Sequence, residues 1–420
     1  MDCTTGPLRH ELSSWRGTGG TGEFPYASVV AHLRSVGKHF LSEEVLDALD
    51  ACRTALVGRH PEKAADSFLG RFLDVVLDKF DGRYDYPSYT ALPLLGTAPD
   101  ADPGGLLRRR DRTVLLLLAD LIAFERKALA GTPEDPREMP PPAALQHKRL
   151  RLAARVMEPA ALRELDGVVD PAAVAATPGR TPAGTLSEAV LGSAGTEELL
   201  RLRTSVQPVY VLHDEYLFLR VLQSFEATFA FMSATLDRAV GVLHGEEPGD
   251  AASLVASVAD VLRESLPLFS LLATMQPASF QDFRQYTDGA SAIQSEGYKT
   301  FESYCSTPAR ARLDAPAFAS VPRVRDAVLA GRETVQGTWE DVIASGWLTE
   351  PDAAAVRAAA LQLEAVHQRW KQTHYRLAVR MIGTRTGTGS TEGVPYLESV
   401  IANRLFPAMA DALAGQPAAG

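Results

Sequence analysis

Leu363, Val366, Trp370, His374, Leu377 and Met381 follow one another at steps of 3, 4, 4, 3 and 4. Those steps trace one face of an α-helix, which puts a histidine on the stripe that points into the core. A buried imidazole hydrogen-bonded to a carbonyl is one account of it. The other is an axial ligand, because neutral imidazole is the usual proximal donor to haem iron and an apolar wall suits a porphyrin. His367, one heptad earlier, lies close to the same face, so spacing leaves both histidines open. Directly after this stretch, Gly383 to Gly393 is a run of Gly and Thr that cannot sustain a helix. It offers backbone N–H and hydroxyl donors to a polar ligand, or serves as a plain linker. Further upstream, Arg284 in Asp282-Phe283-Arg284-Gln285-Tyr286 precedes the small residues Gly289 to Ala292. An arginine beside such a turn can clamp a carboxylate with its two-pronged guanidinium.

Other signals carry less. Gly17 to Gly22 matches G-x-G-x-x-G, but Glu11 to Arg16 is no strand and the residues after it do not open a glycine-loop helix, so a flexible loop is the better account. Cys3, Cys52 and Cys305 are an odd number at scattered spacing, so neither a disulfide framework nor a Cys-rich metal site is encoded. The net charge of −10 over 420 residues, with no basic tract beyond Arg108-Arg109-Arg110, argues against nucleic acid as a partner. The longest apolar run, Val114 to Ala119, is too short to span a membrane, and the N-terminus shows no signal peptide. The expectation is a soluble, cytoplasmic protein.

The elements that must position these residues read as helices, because apolar residues recur at three- and four-residue spacing and alternating strand patterns are scarce. Helical stretches are expected from Ser42 to about Leu56, Ala64 to Phe80, Asp111 to Leu129, Asp214 to Arg238, Ala251 to Met275 and Asp352 to Ile382. The helix from Glu215 carries Phe218, Val221, Leu222, Phe225, Phe229 and Met232 on one face. Pro87 to Gly105 and Gly131 to Pro142 read as loops, and Asp166 to Thr196 as a mobile connector. The fold class is therefore all-α: an irregular helical region over 1–145 with a Tyr-x-x-Tyr element, a connector or insertion over 146–206, and a helical bundle over 207–420.

Three ordered blocks resemble the tryptophan 2,3-dioxygenase superfamily of haem-dependent oxygenases. They are His213-Asp214-Glu215-Tyr216-Leu217-Phe218, then Leu272 to Met275 with Phe283-Arg284-Gln285-Tyr286 and Ala290 to Ser295, then Arg369 to His374 with Arg380 to Gly383, Gly387 to Gly389 and Tyr396-Leu397. Tyr86-Pro87-Ser88-Tyr89 is similar to the family's N-terminal tyrosine element.

The resemblance implies a helical bundle enclosing haem b, with His374 as axial ligand to the iron. It implies Arg284 on the substrate carboxylate, Thr388 on its ammonium group, and Phe218, Ser291 and Ala292 along the distal pocket. Tyr86 and Tyr89 match aromatics that the family donates to a neighbouring subunit, which implies a homo-oligomer (dimer or tetramer). An arginine and a threonine together suit an α-amino acid. The implied function is oxygen insertion into the indole ring of tryptophan or a tryptophan-like aromatic amino acid, with O2 or peroxide as co-substrate. One departure bears on this: where the dioxygenases usually carry a distal histidine, Leu222 stands before Gln223. The superfamily also includes haem-dependent aromatic hydroxylases of secondary-metabolite pathways, so hydroxylation of tyrosine or a tryptophan derivative is the alternative. Without a distal histidine, protons for the chemistry are expected from the substrate amine, Thr388, a tyrosine or water.

Overall fold

The computed structural model describes residues 5–20, 22–59, 66–96, 103–132, 137–165, 181–245, 247–287, 289–383 and 393–414. Among them the only β pairing is an isolated parallel bridge between Glu138 and Leu212, so the chain is all-α. The first helices are α1 (Thr5–Gly17), α2 (Tyr26–Val36), α3 (Glu43–Arg59), α4 (Phe68–Val76) and the single turn α5 (Tyr86–Tyr89). A core of their own, centred on Leu12, Trp15, Phe24, Leu33, Leu49 and Phe72, holds α1 to α4 together. The glycine-rich stretch begins at the end of α1, not after a strand, and Gly19 and Gly20 take positive φ in a turn, so the dinucleotide-binding context is absent among the described residues.

The larger core is built on α6 (Pro103–Leu129), α7 (Ala143–Glu164), α8 (Pro182–Gly192) and α9 (Thr196–Thr204), followed by α10 (His213–Leu243) and α11 (Asp250–Ser265). The expected helix from Ala251 to Met275 is broken: Pro267, which lacks an N–H, opens a separate α12 (Pro267–Leu272). Next come α13 (Pro277–Arg284), α14 (Glu296–Cys305), α15 (Glu350–Ile382), α16 (Val394–Ile401) and α17 (Pro407–Ala414). The central α10 packs against α6, α11 and α14, and α11 packs against α15. Thr349 caps α15 by accepting the Asp352 N–H, and Gly383 ends it at a φ of 57°.

Two stretches differ from the sequence reading. The stretch expected to be a loop from Pro87 to Gly105 contains the end of α5, a turn at Leu92–Leu95 and the start of α6. The expected connector carries α8, whose Thr181 accepts the Gly184 N–H and whose Pro182 sits in the first turn. Ala183, Gly184, Ser187 and Val190 are buried, and the Ser187 hydroxyl donates to the Ala119 carbonyl of α6 at 2.6 Å. Small side chains let α8 lie close to α6, so the composition that suggests a linker here encodes packing. Residues 166–180 of that stretch lie outside the described residues.

A buried ionic network fixes the start of α10. The fully buried Arg149 guanidinium on α7 donates to Glu125 Oε1 at 2.9 Å, Asp214 Oδ1 at 2.6 Å and the Thr274 carbonyl at 3.0 Å. Asp214 Oδ2 accepts the Gln276 N–H at 2.6 Å, and His213 Nε2 lies 3.1 Å from Glu125 Oε2. The network ties α6, α7 and α10 to the segment that leads into α13, and so to Arg284.

Candidate active site

One cavity, open to solvent on one side, lies between α5, α10, the α12–α14 stretch, α15 and α16. Phe218, Leu222, Phe225 and Phe229 line it from α10, because their spacing puts them on one helical face. Phe269, Leu272 and Met275 line it from α12 and its end, Trp370, His374 and Leu377 from α15, and Tyr396 from α16. Arg284, at the end of α13, and Ser291 and Ala292 just beyond it lie on the same wall, with Arg284 half-buried and Ala292 exposed. Ser291 is also engaged locally, its hydroxyl accepting the Ile293 N–H at 3.5 Å. Thr388, with the rest of the run from 384 to 392, lies outside the described residues.

The two histidines of α15 are separated by their partners. His367 Nε2 lies 2.9 Å from the Tyr298 hydroxyl, its ring is 2% exposed, and it is absent from the cavity wall. His374 lines the cavity and has no hydrogen-bond partner among the described residues. Its ring stacks on Phe269 with centroids 5.8 Å apart and planes at 19°, and its centroid lies 5.4 Å from that of Trp370. Burial lowers its pKa to about 4, so the imidazole is neutral near pH 7 with a lone pair to offer. No group of three or more His, Cys, Asp or Glu side chains able to hold a bare metal ion occurs among the described residues. A single neutral imidazole facing an aromatic cavity therefore fits an iron whose other ligands come from a planar macrocycle.

Tyr86 and Tyr89 line the cavity of their own chain, at 2% and 1% exposure. Four contacts hold the element there. Gln223 Nε2 donates to the Thr90 carbonyl at 2.9 Å, and Lys38 Nζ to the Ser88 carbonyl at 3.4 Å. The Tyr86 hydroxyl donates to Glu226 Oε1 at 2.9 Å, and the Tyr89 hydroxyl to Glu215 Oε1 at 3.4 Å. Gln223, the neighbour of Leu222, is thus a clasp on the tyrosine element. Glu215 is likewise structural, accepting the Val209 and Tyr210 N–H groups at 2.8 and 3.1 Å.

Sequence reasoning passed over Glu226 and three cations. Glu226 is the one carboxylate among the described lining residues, and it falls four positions after Leu222 and eight after Phe218. That i, i+4, i+8 step is the signal that finds it. Lys299, Arg312 and Lys371 also line the cavity, and each has partners of its own. Arg312 donates twice to Glu302 at 2.9 Å and once to the Tyr396 hydroxyl at 3.0 Å. Lys299 Nζ lies 3.9 Å from Glu302, and Lys371 Nζ donates to the carbonyls of Val400, Ile401 and Asn403.

Fold and cavity define an all-α protein built around one aromatic-walled site with an inward histidine at one wall and an arginine at another. No protein-family model matches the chain. It is 28% identical over 235 residues to a tryptophan 2,3-dioxygenase of Polaromonas naphthalenivorans, a match covering 48% of this chain and 83% of the relative. To the tryptophan 2,3-dioxygenase of Anaeromyxobacter sp. (strain K) it is 26% identical over 224 residues, 46% of this chain and 84% of the relative. To that of Erythrobacter litoralis it is 26% identical over 247 residues, 50% and 92% of the two chains. Over about half of its length the chain is thus similar to tryptophan 2,3-dioxygenases, at 26–28% identity.

Proposed function

We propose that this chain is a haem-dependent oxygenase acting on tryptophan or a tryptophan-like aromatic amino acid. The observation that carries the reading is the convergence of His374, Arg284, Phe218 and the two tyrosines on one cavity. His374, neutral and without a hydrogen-bond partner among the described residues, would hold haem b, which when bound supplies the iron that activates O2 or peroxide. Arg284 would take the substrate carboxylate on its planar fork, and Thr388 its ammonium group. Phe218, Tyr86 and Tyr89 would pack on the ring and exclude water. This strengthens every charge interaction at the Arg284 end and fixes the ring's position.

A second reading, hydroxylation of tyrosine or of a tryptophan derivative, is favoured by one observation: Leu222 lines the cavity and offers neither a proton nor a hydrogen bond. Mass spectrometry of products from tryptophan, tyrosine and their methylated forms, with isotope-labelled O2 and labelled peroxide, separates the readings. Two labelled atoms in a formylkynurenine-type product support ring cleavage. One labelled atom in a hydroxylated ring supports the second reading, and an absence of oxygenated product sinks both.

A further inference from the structure

We propose that Glu226 is the acceptor that reads a hydrogen-bond donor on the substrate's aromatic ring, held in place by Tyr86 and Ser295. The inference rests on the amino-acid reading of the cavity and narrows it to rings that carry an N–H or O–H group.

Glu226 sits on the α10 face that otherwise presents Phe218, Leu222, Phe225 and Phe229 to the cavity, and it is 7% exposed. A carboxylate in such a wall is costly unless donors satisfy it. An ionised carboxyl has about four acceptor positions. Oε1 takes the Tyr86 hydroxyl at 2.9 Å, and the Ser295 side chain supplies a second hydrogen bond. The remaining positions face a cavity in which Lys299 and Arg312 are engaged with Glu302 and Lys371 with backbone carbonyls. Room for the carboxylate is built in at Gly297, where a Cβ would lie 2.9 Å from Glu226 Oε2 and 3.2 Å from the Phe229 Cβ.

The charge state follows from this setting. Burial raises the Glu226 pKa to about 7, and the nearby Glu296 adds to the shift, against the hydrogen bonds from Ser295 and Tyr86. Arg284 and His374 are the other titratable groups on the cavity wall beside the three cations and the tyrosines. Arg284 stays charged, while Lys299 and Lys371, whose pKa values burial lowers to about 8, begin to lose charge only at the upper end of the pH 6–8 window. A ring donor therefore binds best where Glu226 is ionised, and its affinity rises as pH climbs through about 7.

The test measures binding calorimetrically on the haem-loaded protein, pairing L-tryptophan with 1-methyl-L-tryptophan and L-tyrosine with its O-methyl ether. A hydrogen bond to a charged group corresponds to about ten- to a hundredfold in affinity. Wild type should prefer the unmethylated member of at least one pair by that factor, more at pH 8 than at pH 6. Glu226→Gln, which keeps an acceptor for Tyr86, should lose most of the preference and all of its pH dependence while its thermal transition persists. Gly297→Ala, which crowds Oε2 without altering the acid, should weaken the same preference. A preference unchanged in both variants makes it steric and overturns the inference alone. If no aromatic amino acid binds to the wild type, the reading of the cavity falls, and the inference with it.

Discussion

The Tyr298 hydroxyl lies 2.9 Å from Nε2 of His367, and this pairing leaves His374 as the histidine of α15 that faces the cavity. Tyr298 also stacks on Trp370, with centroids 5.4 Å apart and planes at 19°, so His367 belongs to a packed wall behind the site. His374→Ala should therefore lose the Soret absorbance after purification while keeping its helical circular dichroism. His367→Ala should keep the Soret band but unfold earlier by about 1–3 kcal/mol, since the enclosed Tyr298 hydroxyl loses its partner. The reverse assignment of the two phenotypes would move the iron ligand to His367.

Arg284→Leu removes the cation proposed for the substrate carboxylate. Deleting one partner of a desolvated charge pair costs roughly 2–5 kcal/mol, which is about thirtyfold to several thousandfold in affinity. Amino-acid binding measured by calorimetry should weaken by that amount with the haem spectrum intact. Undiminished affinity would place the carboxylate elsewhere.

Leu222→His returns a proton donor to the α10 face, one turn from both Phe218 and Glu226. If the leucine directs the outcome of the reaction, the variant should raise the share of formylkynurenine-type product from tryptophan, read by mass spectrometry. An unchanged product distribution would make Leu222 a neutral replacement.

Glu226 also links stability to pH. Its folded pKa of about 7 lies above the ordinary 4.5, so between those values the native state binds a proton that the unfolded chain has released. The stabilisation is complete below pH 4.5 and is lost as pH rises through 7. The shift corresponds to roughly 3 kcal/mol. Denaturant unfolding of Glu226→Gln should approach wild type at pH 5 and exceed it in stability at pH 8. Parallel pH profiles for the two proteins would mean that Glu226 is ionised throughout.

What the sequence discloses follows from where the information lies. Helical periodicity is local, so the stripe from Leu363 to Met381 and the aromatic face of α10 are readable from spacing alone, and the part of the stripe from Trp370 to Met381 lines the cavity together with Phe218, Leu222, Phe225 and Phe229. Pairing across the chain is not local. Nothing in Tyr86-Pro87-Ser88-Tyr89 shows that Gln223 and Lys38 clasp it to its own chain, more than a hundred residues from Gln223. Composition misled where small residues serve close packing, as in α8. Glu226 escaped because an apolar stripe is read by its apolar members, and a single acid within it looks like an interruption.

The most direct test of the central claim is titration of the haem-reconstituted protein with L-tryptophan and L-tyrosine, followed through the Soret band, in wild type and Arg284→Leu. One cavity holding both iron and amino acid predicts a saturable spectral shift with at least one ligand in wild type, and a much weaker one in the variant. Haem that fails to bind, or a Soret band indifferent to both amino acids at saturation, would contradict it.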